Sequence, residues 1–408
     1  MSRLDKLSIS LREEITDKLE FCKELTDDEL EEIIAGKISE YSKKEHLTLE
    51  ERVGIGRKIL NSMRRLDILQ ELIDDKDVTE IMVNGYDTIF VEKAGRLTRS
   101  SKRFESDTRF KDVIQQIVAA CNRAVNDASP IVDARLMDGS RVNVVLNPVA
   151  INGPILTIRR FPQKPLSMDR LTEIGSLQKE QAEFLDKLVK AGYNILVSGG
   201  TGSGKTTFLN ALSSYIPHDE RIITIEDSAE LQIQGISNLV RLETKNSNAD
   251  GCSPITIRDL IKSSLRMRPD RIVVGEVRGA EAMDMICSAM NCGHDGSMST
   301  VHANSASDTI ARLETMILMA AELPVYAIRR QISGGVDIII HLGRLRDKTR
   351  KVLEITEVDR FEDGEVILNP LYRFEEDEDS TADHVTGRLK KTGRLIHEEK
   401  LKAAGIAC

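Results

Sequence analysis

Residues Asn194–Leu212 read NILVSGGTGSGKTTFLNAL, and this stretch decides the fold. The apolar run Ile195–Val197 is typical of a strand buried in a parallel sheet. Gly199–Thr206 matches the pattern G-x-x-x-x-G-K-[ST], and Phe208 and Leu212 begin a helical periodicity behind it. A strand, a glycine-rich loop and a helix therefore follow one another in the order that a phosphate-binding loop requires.

The loop predicts how a bound polyphosphate is held. Glycines let the backbone turn tightly, so that several N–H groups point at one anion, and the helix dipole adds positive potential at the same place. We expect Lys205 to reach the β- and γ-phosphates and the Thr206 hydroxyl to bind Mg²⁺. The predicted nucleotide-binding residues are Gly200, Thr201, Gly202, Ser203, Gly204, Lys205, Thr206 and Thr207.

The composition describes a globular protein of two or three domains. The chain has 408 residues, of which 40% are apolar and 30% charged, and a single core rarely serves so long a chain. Its formal net charge is −9, it lacks Trp, and only 4% of its residues are aromatic. A chain with few stacking side chains and no basic run is a poor match to nucleic acid, so we expect no direct nucleic-acid binding.

The cellular location is predicted from three features that we do not find in the sequence: a signal peptide, a membrane span and paired cysteines. The first residues are charged and contain no signal-peptide core, and no stretch reaches 18 consecutive apolar residues. The six cysteines form no C-x-x-C pair, which argues against a zinc knuckle and favours reduced thiols. We therefore expect a cytoplasmic protein without a membrane span.

The part of the chain before the phosphate loop reads as two segments and a linker. Residues 1–50 have the periodicity of amphipathic helices, with capping-box patterns at Thr26 and Thr48. Residues 51–160 combine short β-like runs with an amphipathic helix, which predicts a small α+β domain. Residues 161–165 contain two prolines and read as the linker.

Residues 166–358 alternate strands and helices, which predicts an α/β domain built on a parallel sheet. The apolar runs at 222–225, 271–274 and 338–341 are expected to be strands of that sheet. Residues 359–408 are predicted to form a C-terminal extension, with an acidic stretch at 375–379 and a basic segment at 388–402. We expect the charges of both to be solvated.

Candidate catalytic acids follow two of the predicted strands, at the sheet edge where α/β proteins bind nucleotides. Glu226, Asp227 and Glu230 come after one strand and are suited to hold Mg²⁺ through water or to position the attacking water. Glu276 ends another strand and is the better candidate for polarising water, because Gly275 replaces the metal-binding Asp that is usual there. An ion pair between Glu276 and the nearby Arg278 is the alternative reading.

Two other kinds of side chain are candidates for contacting the γ-phosphate. His302 lies among small and polar residues, although a structural role is the commoner one for a single His. An arginine from outside the loop stabilises the charge that develops on a transferred phosphoryl group. Arg141, Arg159 and Arg160 stand near predicted strand ends of the α+β domain, where surface ion pairs are the alternative.

Four ordered segments together resemble the secretion ATPase superfamily. Its Walker A, Asp-box, Walker B and His-box are matched by Gly199–Thr207, Ile223–Leu231, Leu265–Gly279 and Gly293–Ser305. Leu265–Gly279, Ala289–Asn304 and Glu80–Gly85 look most like the CpaF branch, which powers Tad/Flp-type pilus assembly. The resemblance runs from about residue 50 to the end of the chain; Gly275 is usual in this superfamily, whereas Cys292 stands where the branch usually has Thr.

The resemblance implies a RecA-like P-loop ATPase domain preceded by a PAS-like α+β domain, with ATP and Mg²⁺ as ligands. It further implies a homo-hexamer with ATP between the two domains, acting at the cytoplasmic face of the inner membrane on a platform protein. The residues that it marks as catalytic are Glu276, Glu230, His302, Arg141 and Arg159. The resemblance also places His294 near His302 in the same His-box, and Arg160 replaces Arg159 if the local register differs by one residue.

The sequence therefore predicts a Mg²⁺-dependent ATPase that powers a pilus or a related type II/IV secretion machine. One alternative is a nucleic-acid-stimulated motor on the same core, as in conjugation systems, which the acidic charge and sparse aromatics disfavour. Another is a scaffold that binds ATP without hydrolysing it, which the intact Lys205, Thr206 and Glu276 disfavour.

Overall fold

The structure is a computed structural model that describes residues 3–19, 25–93, 95–121, 123–136, 138–160, 165–245 and 253–407. The chain divides into two compact units, Met1–Pro162 and Gln163–Cys408. Of the predicted linker at 161–165, all but Pro165 lies outside the described residues.

Three helices open the first unit and pack on one another: α1 (Arg3–Leu19), α2 (Asp27–Ser42) and α3 (Leu49–Arg64). The capping boxes predicted at Thr26 and Thr48 are confirmed: each threonine hydroxyl accepts from the backbone N–H of the glutamate three residues on, and the threonine backbone N–H donates to that glutamate's side chain. Helix α3 contributes to the same apolar core as α1 and α2. The boundary that we placed at residue 50 therefore falls inside a helix.

The rest of the first unit is an antiparallel sheet with two helices against it. Its elements are α4 (Ile68–Asp74), β1 (Val78–Asn84), β2 (Ile89–Lys93), β3 (Arg96–Arg99), α5 (Asp107–Ala120), β4 (Ile131–Arg135), β5 (Arg141–Val145) and β6 (Ile155–Arg159). The strand order is β3-β2-β1-β6-β5-β4. One face carries the buried side chains, such as Ile81 and Ile158, and packs on α5. The other face carries the polar residues, because side chains alternate along a strand.

The second unit contains the phosphate loop. Its helices are α6 (Met168–Glu173), α7 (Lys179–Lys190), α8 (Lys205–Ser213), α9 (Ile257–Ser264), α10 (Glu281–Asp284), a π-helical turn (Met285–Met290), α11 (Ala306–Ala320), α12 (Val325–Gly335) and α13 (Glu399–Ala403). Its strands are β7 (Ile195–Gly199), β8 (Arg221–Glu226), β9 (Asn238–Glu243), β10 (Arg271–Val277), β11 (Met298–Val301), β12 (Ile338–Arg344), β13 (Arg350–Glu362), β14 (Glu365–Glu376) and β15 (Gly387–Lys391).

These strands form one mixed sheet in the order β15-β14-β13-β12-β7-β11-β10-β8-β9. The strands from β12 to β9 are parallel, which confirms the predicted α/β fold class. Strand β7 lies in the middle of the parallel part and is buried on both faces: Val197 packs into one apolar core and Leu196 into the other. Burial on both sides explains why this strand reads as an unbroken apolar run.

The end of the chain departs from the sequence prediction. Strands β13–β15 extend the sheet in antiparallel fashion, and β13 crosses the predicted domain boundary at residue 358. The acidic stretch at 375–379 is exposed, as expected, but some charges of the tail are paired: Glu376 of β14 binds Arg346 at 2.9 Å, and Lys400 of α13 binds Asp337 at 2.7 Å. The strand ladder and these ion pairs hold a segment that looks, by composition alone, like solvated charge.

Within the described part of the chain, none of the helices is both long and apolar enough to cross a bilayer.

Candidate nucleotide site

The phosphate loop joins β7 to α8 with the geometry that its glycines allow. A Cβ on Gly199 would lie 2.5 Å from both the Leu342 carbonyl oxygen and the Ser203 hydroxyl, so only glycine fits there. Gly204 precedes α8 with φ of 94°, and no side chain caps this helix. The uncapped N–H groups of the first turn, which includes Thr206 and Thr207, are therefore left for an anion.

Lys205 is buried at the start of α8 and folds back over the loop. Its Nζ donates to the Gly199 and Gly200 carbonyl oxygens, each at 3.1 Å, and approaches His302 Nδ1 at 3.2 Å. Burial lowers its pKa, partly offset by the charge of Glu276. The ammonium group thus lies at the mouth of the loop, where it is held by neutral carbonyl oxygens. A charged phosphate oxygen is a stronger acceptor and replaces them when it binds.

His302 follows β11 and lies between the loop lysine and the carboxylate of Glu276. Its Nδ1 faces Lys205, which is only a donor, so Nδ1 must be the accepting nitrogen. The ring proton then sits on Nε2, which lies 2.7 Å from Glu276 Oε1. Burial lowers the pKa of His302, which favours this neutral form. The structure therefore brings together three of the residues singled out in the sequence.

Glu276 lies in β10 with one oxygen toward His302 and the other toward Arg278, whose Nη2 donates to Oε2 at 2.7 Å. The hydrogen bond to Glu276 raises the pKa of Arg278. The ion pair that we gave as the alternative reading is thus present, and it coexists with the contact to His302. The carboxylate is therefore hydrogen-bonded through Oε2, while its buried Oε1 faces His302 without a hydrogen bond. At the carboxyl end of a parallel strand, such an oxygen is placed to orient water beside a bound phosphate.

The acid at the end of β8 is placed differently from the prediction. Glu226 is 3% exposed, and its Oε1 accepts from the backbone N–H groups of Glu230 and Leu231 at 2.8 and 2.9 Å. A Cβ on Gly275 would lie 2.9 Å from Glu226 Cγ, so glycine at that position makes room for this side chain. Burial raises the pKa of Glu226 to about 7. Glu226 shapes the loop that carries Glu230 rather than facing the phosphate loop with a free charge.

Two further predictions are corrected or sharpened by strand positions. His294 does not lie beside His302: its Nδ1 contacts the Pro269 carbonyl oxygen at 3.1 Å, at the amino end of β11. In the first unit, Arg141 and Arg159 are register partners on neighbouring strands, so their side chains share a face. Arg160 binds the backbone carbonyl oxygens of Asp75 and Val78 instead.

Sequence reasoning missed two arginines that lie at the phosphate loop. Arg344 ends β12 and Arg350 begins β13, and Arg350 Nε donates to the Gly202 carbonyl oxygen at 2.8 Å. The available signal was the predicted strand at 338–341, which in a parallel sheet ends at the same edge as β7. Nothing in the local sequence indicated that β12 and β7 are neighbours.

Comparison with known proteins gives consistent matches over most of the chain. Residues 63–399 match the family model described as "Type II/IV secretion system protein". A Mycobacterium tuberculosis protein, provisionally named a conjugal transfer protein, is 36% identical over 294 residues, which are 71% of this chain and 83% of its own. The type IV secretion system protein PtlH of Bordetella pertussis is 32% identical over 320 residues, covering 71% of this chain and 93% of PtlH.

Among solved structures, the pilus retraction motor PilT with bound ADP superposes with a TM-score of 0.52. The match covers 83% of this chain and 88% of PilT at 21% sequence identity. At this identity the likeness bears on the fold alone, and it agrees with the parallel sheet and phosphate loop described above.

Proposed function

The chain belongs to the type II/IV secretion system ATPase family, and we propose that it is the motor that powers a Tad/Flp-type pilus or a closely related secretion machine. The observation that carries the proposal is the cluster of Lys205, His302 and Glu276 at the mouth of an uncapped phosphate loop. The proposal of ATP hydrolysis rests on the activity of the family. The proposal of a Tad/Flp-type machine rests on the sequence segments that resemble the CpaF branch.

In the proposed reaction, the backbone of residues 200–207 and Lys205 hold the β- and γ-phosphates of ATP. Glu276 orients the attacking water, and Nε2 of the neutral His302 lies beside that carboxylate, 2.7 Å from its Oε1. Because Lys205 moves from its carbonyl contacts to phosphate oxygens when ATP binds, His302 loses one of its two neighbours at that moment. The histidine thereby links occupancy of the loop to the position of Glu276.

Mg²⁺ fits the donors at this site. The Thr206 hydroxyl lies in the first turn of α8, and no cluster of three or more His, Cys, Asp or Glu side chains able to hold a metal occurs among the described residues. A single hydroxyl ligand suits an ion that keeps most of its water and binds substrate phosphates. Thr206 would hold it, with Glu230 and Asp227 acting through water, and it would neutralise charge on the β- and γ-phosphates.

The arginines of the first unit are proposed to complete the reaction. Arg141 and Arg159 stand side by side on one sheet face, and a pair of guanidinium groups is suited to the equatorial oxygens of a γ-phosphoryl group. Loss of that group after hydrolysis removes the partner of both arginines, which gives the motor its two states.

We further propose that the protein works as a homo-hexamer on an inner-membrane platform protein at the cytoplasmic face. A head-to-tail interface that uses one surface of each copy closes into a ring when the rotation allows it. The family relationship motivates the choice of six copies and of a membrane partner.

The test is deletion of the gene, followed by complementation with the wild type, with Lys205→Ala and with the surface variant Glu378→Gln. We expect deletion to remove surface pili or secreted proteins, and only the wild type and Glu378→Gln to restore them. The purified Lys205→Ala protein should release no phosphate from ATP. Normal pili and secretion in the deletion strain would refute the proposed function.

A second candidate, a motor of a conjugation system, is favoured by the relatives named as conjugal transfer proteins. It predicts that the deletion abolishes DNA transfer between cells, and that DNA stimulates ATP turnover in a manner that falls steeply with salt. The sparse aromatic residues and net charge of −9 favour the first candidate.

A further inference from the structure

A hairpin beside the phosphate loop carries two arginines that no assignment above uses. Strand β12 pairs in parallel with β7, and Leu342 is the register partner of Gly199. The hairpin from β12 to β13 therefore leaves the sheet at the level where the phosphate loop begins. Arg344 is the last residue of β12, and Arg350 is the first residue of β13.

Arg350 is bound to the loop itself. Its Nε donates to the Gly202 carbonyl oxygen at 2.8 Å, and its Cδ lies 3.4 Å from the point where a Cβ on Gly204 would be. At its other end, the Arg350 carbonyl oxygen accepts from the Ser176 hydroxyl at 2.9 Å. Anchored at its backbone, the side chain restrains the apex of the phosphate loop.

Arg344 faces the same loop without a partner. Its Nη1 lies 3.9 Å from the position of a Cβ on Gly202, and its guanidinium group has no hydrogen bond or ion pair among the described residues. Arg344 and Arg350 are register partners, so both guanidinium groups lie on one face of the hairpin. Like charges directly opposite each other repel, so this pair favours an anion beside it.

The hairpin is held firmly enough to keep the two arginines in place. Arg346 Nη1 donates to Glu376 Oε2, and Arg346 Nε to the Thr381 carbonyl oxygen, both at 2.9 Å. Asp347 accepts from the backbone N–H of Val385 at 2.8 Å. Contacts to β14 and to the segment that follows it therefore fix the hairpin before any ligand binds, which reduces the entropy lost on binding.

The sheet order sets the side from which this hairpin approaches. Strand β12 lies on one side of β7, whereas β11, which His302 follows, and β10, which contains Glu276, lie on the other. We propose that Arg344 is a nucleotide-binding residue that contacts the phosphate chain from the side opposite Glu276, and that Arg350 is a positioning residue for the loop. The inference rests on the proposed binding of ATP at this loop.

The test of Arg344 compares two variants of one hairpin. Arg344→Gln and Lys348→Gln each remove one positive charge, and Lys348 is exposed in the turn. Titration calorimetry on the full chain measures the Kd for ATP, ADP and inorganic tripolyphosphate. We expect Arg344→Gln to weaken all three about tenfold, as for one charge-assisted hydrogen bond, and Lys348→Gln to change none more than about twofold. Unchanged affinities in Arg344→Gln would overturn the proposal, as would a loss confined to ATP and ADP, which would indicate base recognition.

Arg350 is tested by a conservative rescue. Arg350→Met should raise the KM for ATP about tenfold, whereas Arg350→Gln, whose Nε2–H takes the place of the arginine Nε–H that donates to the Gly202 carbonyl, should recover most of that loss. Equal melting temperatures of Arg350→Met and Arg350→Gln with a higher KM in Arg350→Met would support positioning, and a normal KM in Arg350→Met would contradict it. Lys205→Ala distinguishes failure of the proposed ATP site from failure of the role proposed for Arg344. Normal ATP binding by Lys205→Ala would show that the proposed site is wrong. Loss of ATP binding in Lys205→Ala together with normal binding in Arg344→Gln would refute only the role of Arg344.

Discussion

The polar groups at the two ends of the parallel strands of the nine-stranded sheet, called here the carboxyl edge and the amino edge, differ in how completely they are hydrogen-bonded. At the carboxyl edge of the parallel strands, helix α8 has no capping side chain and Arg344 has no partner among the described residues. At the amino edge, Asn194 is 1% exposed and uses all of its side-chain hydrogen-bonding capacity. Its Nδ2 donates to the Met290 and Gly335 carbonyl oxygens, and its Oδ1 accepts from the backbone N–H groups of Gly296 and Ser297.

The charged groups of the amino edge are equally well paired. Asp337 accepts from the Asn194 backbone N–H and from Lys400 Nζ, each at 2.7 Å, and Lys400 also binds Asp295 at 2.7 Å. Saturated groups stabilise the fold and leave nothing for a ligand. The contrast indicates that the amino edge stabilises the fold, whereas the carboxyl edge has polar groups available to bind a ligand. Single substitutions at each edge test this difference.

The largest effect is expected at the carboxyl edge, in Glu276→Gln. The amide keeps the shape of the side chain but cannot polarise water, so kcat should fall about a thousandfold, or about 4 kcal/mol in the barrier. ATP binding should persist, because the phosphate loop is untouched. Phosphate release and nucleotide binding, measured beside the exposed control Glu378→Gln, check this; turnover at the wild-type rate would remove Glu276 from the mechanism.

At the amino edge, a substitution should lower the stability of the fold by an amount similar to the change in the catalytic barrier expected for Glu276→Gln. Asn194→Ala leaves two buried N–H groups and two carbonyl groups without partners, which should lower the free energy of unfolding by about 3 kcal/mol. Its counterpart Lys205→Ala should abolish turnover while changing stability by less than about 1 kcal/mol. The loss of its hydrogen bonds is offset because the cost of burying the ammonium charge is also removed. Urea unfolding of both full-length variants makes the comparison; equal stability losses would erase the distinction between the edges.

Much of this arrangement was predictable from local sequence. The loop motif, the strands around it and the capping boxes at Thr26 and Thr48 each depend on residues close together in the chain. The fold class followed from the alternation of strands and helices. The antiparallel strands β13–β15 were missed because charged residues on an ordered sheet have the same composition as a solvated tail.

The rest depends on contacts between distant residues. His294 and His302 are close in sequence, but β11 lies between them and carries them to opposite edges. The burial of Glu226 depends on the space that Gly275 leaves on the neighbouring strand. The choice between Arg159 and Arg160 depends on sheet register, since a shift of one residue reverses the face of a strand.

A smaller, pH-dependent effect is expected for Glu226. Burial raises its pKa in the folded protein to about 7, against 4.5 for the unfolded chain. Below the lower value both states are protonated, and between the two values only the unfolded state ionises. Stability should therefore fall as the pH rises from about 4.5 to about 7, by about 2–3 kcal/mol relative to Glu226→Gln. Unfolding at pH 5 and pH 7.5 measures this; parallel pH curves for the two proteins would show that Glu226 is ionised in the fold.

The smallest effects should separate two adjacent arginines of the first unit. Arg160 binds backbone carbonyl groups, so Arg160→Gln should lower stability by about 1 kcal/mol and leave kcat unchanged. Arg159 is exposed beside Arg141, so Arg159→Gln should reduce kcat about tenfold without a change in melting temperature. Turnover and melting of both variants decide the assignment. Because the two residues point to opposite faces, the reverse result would mean that the functional face of this sheet is the one on which Arg160 lies.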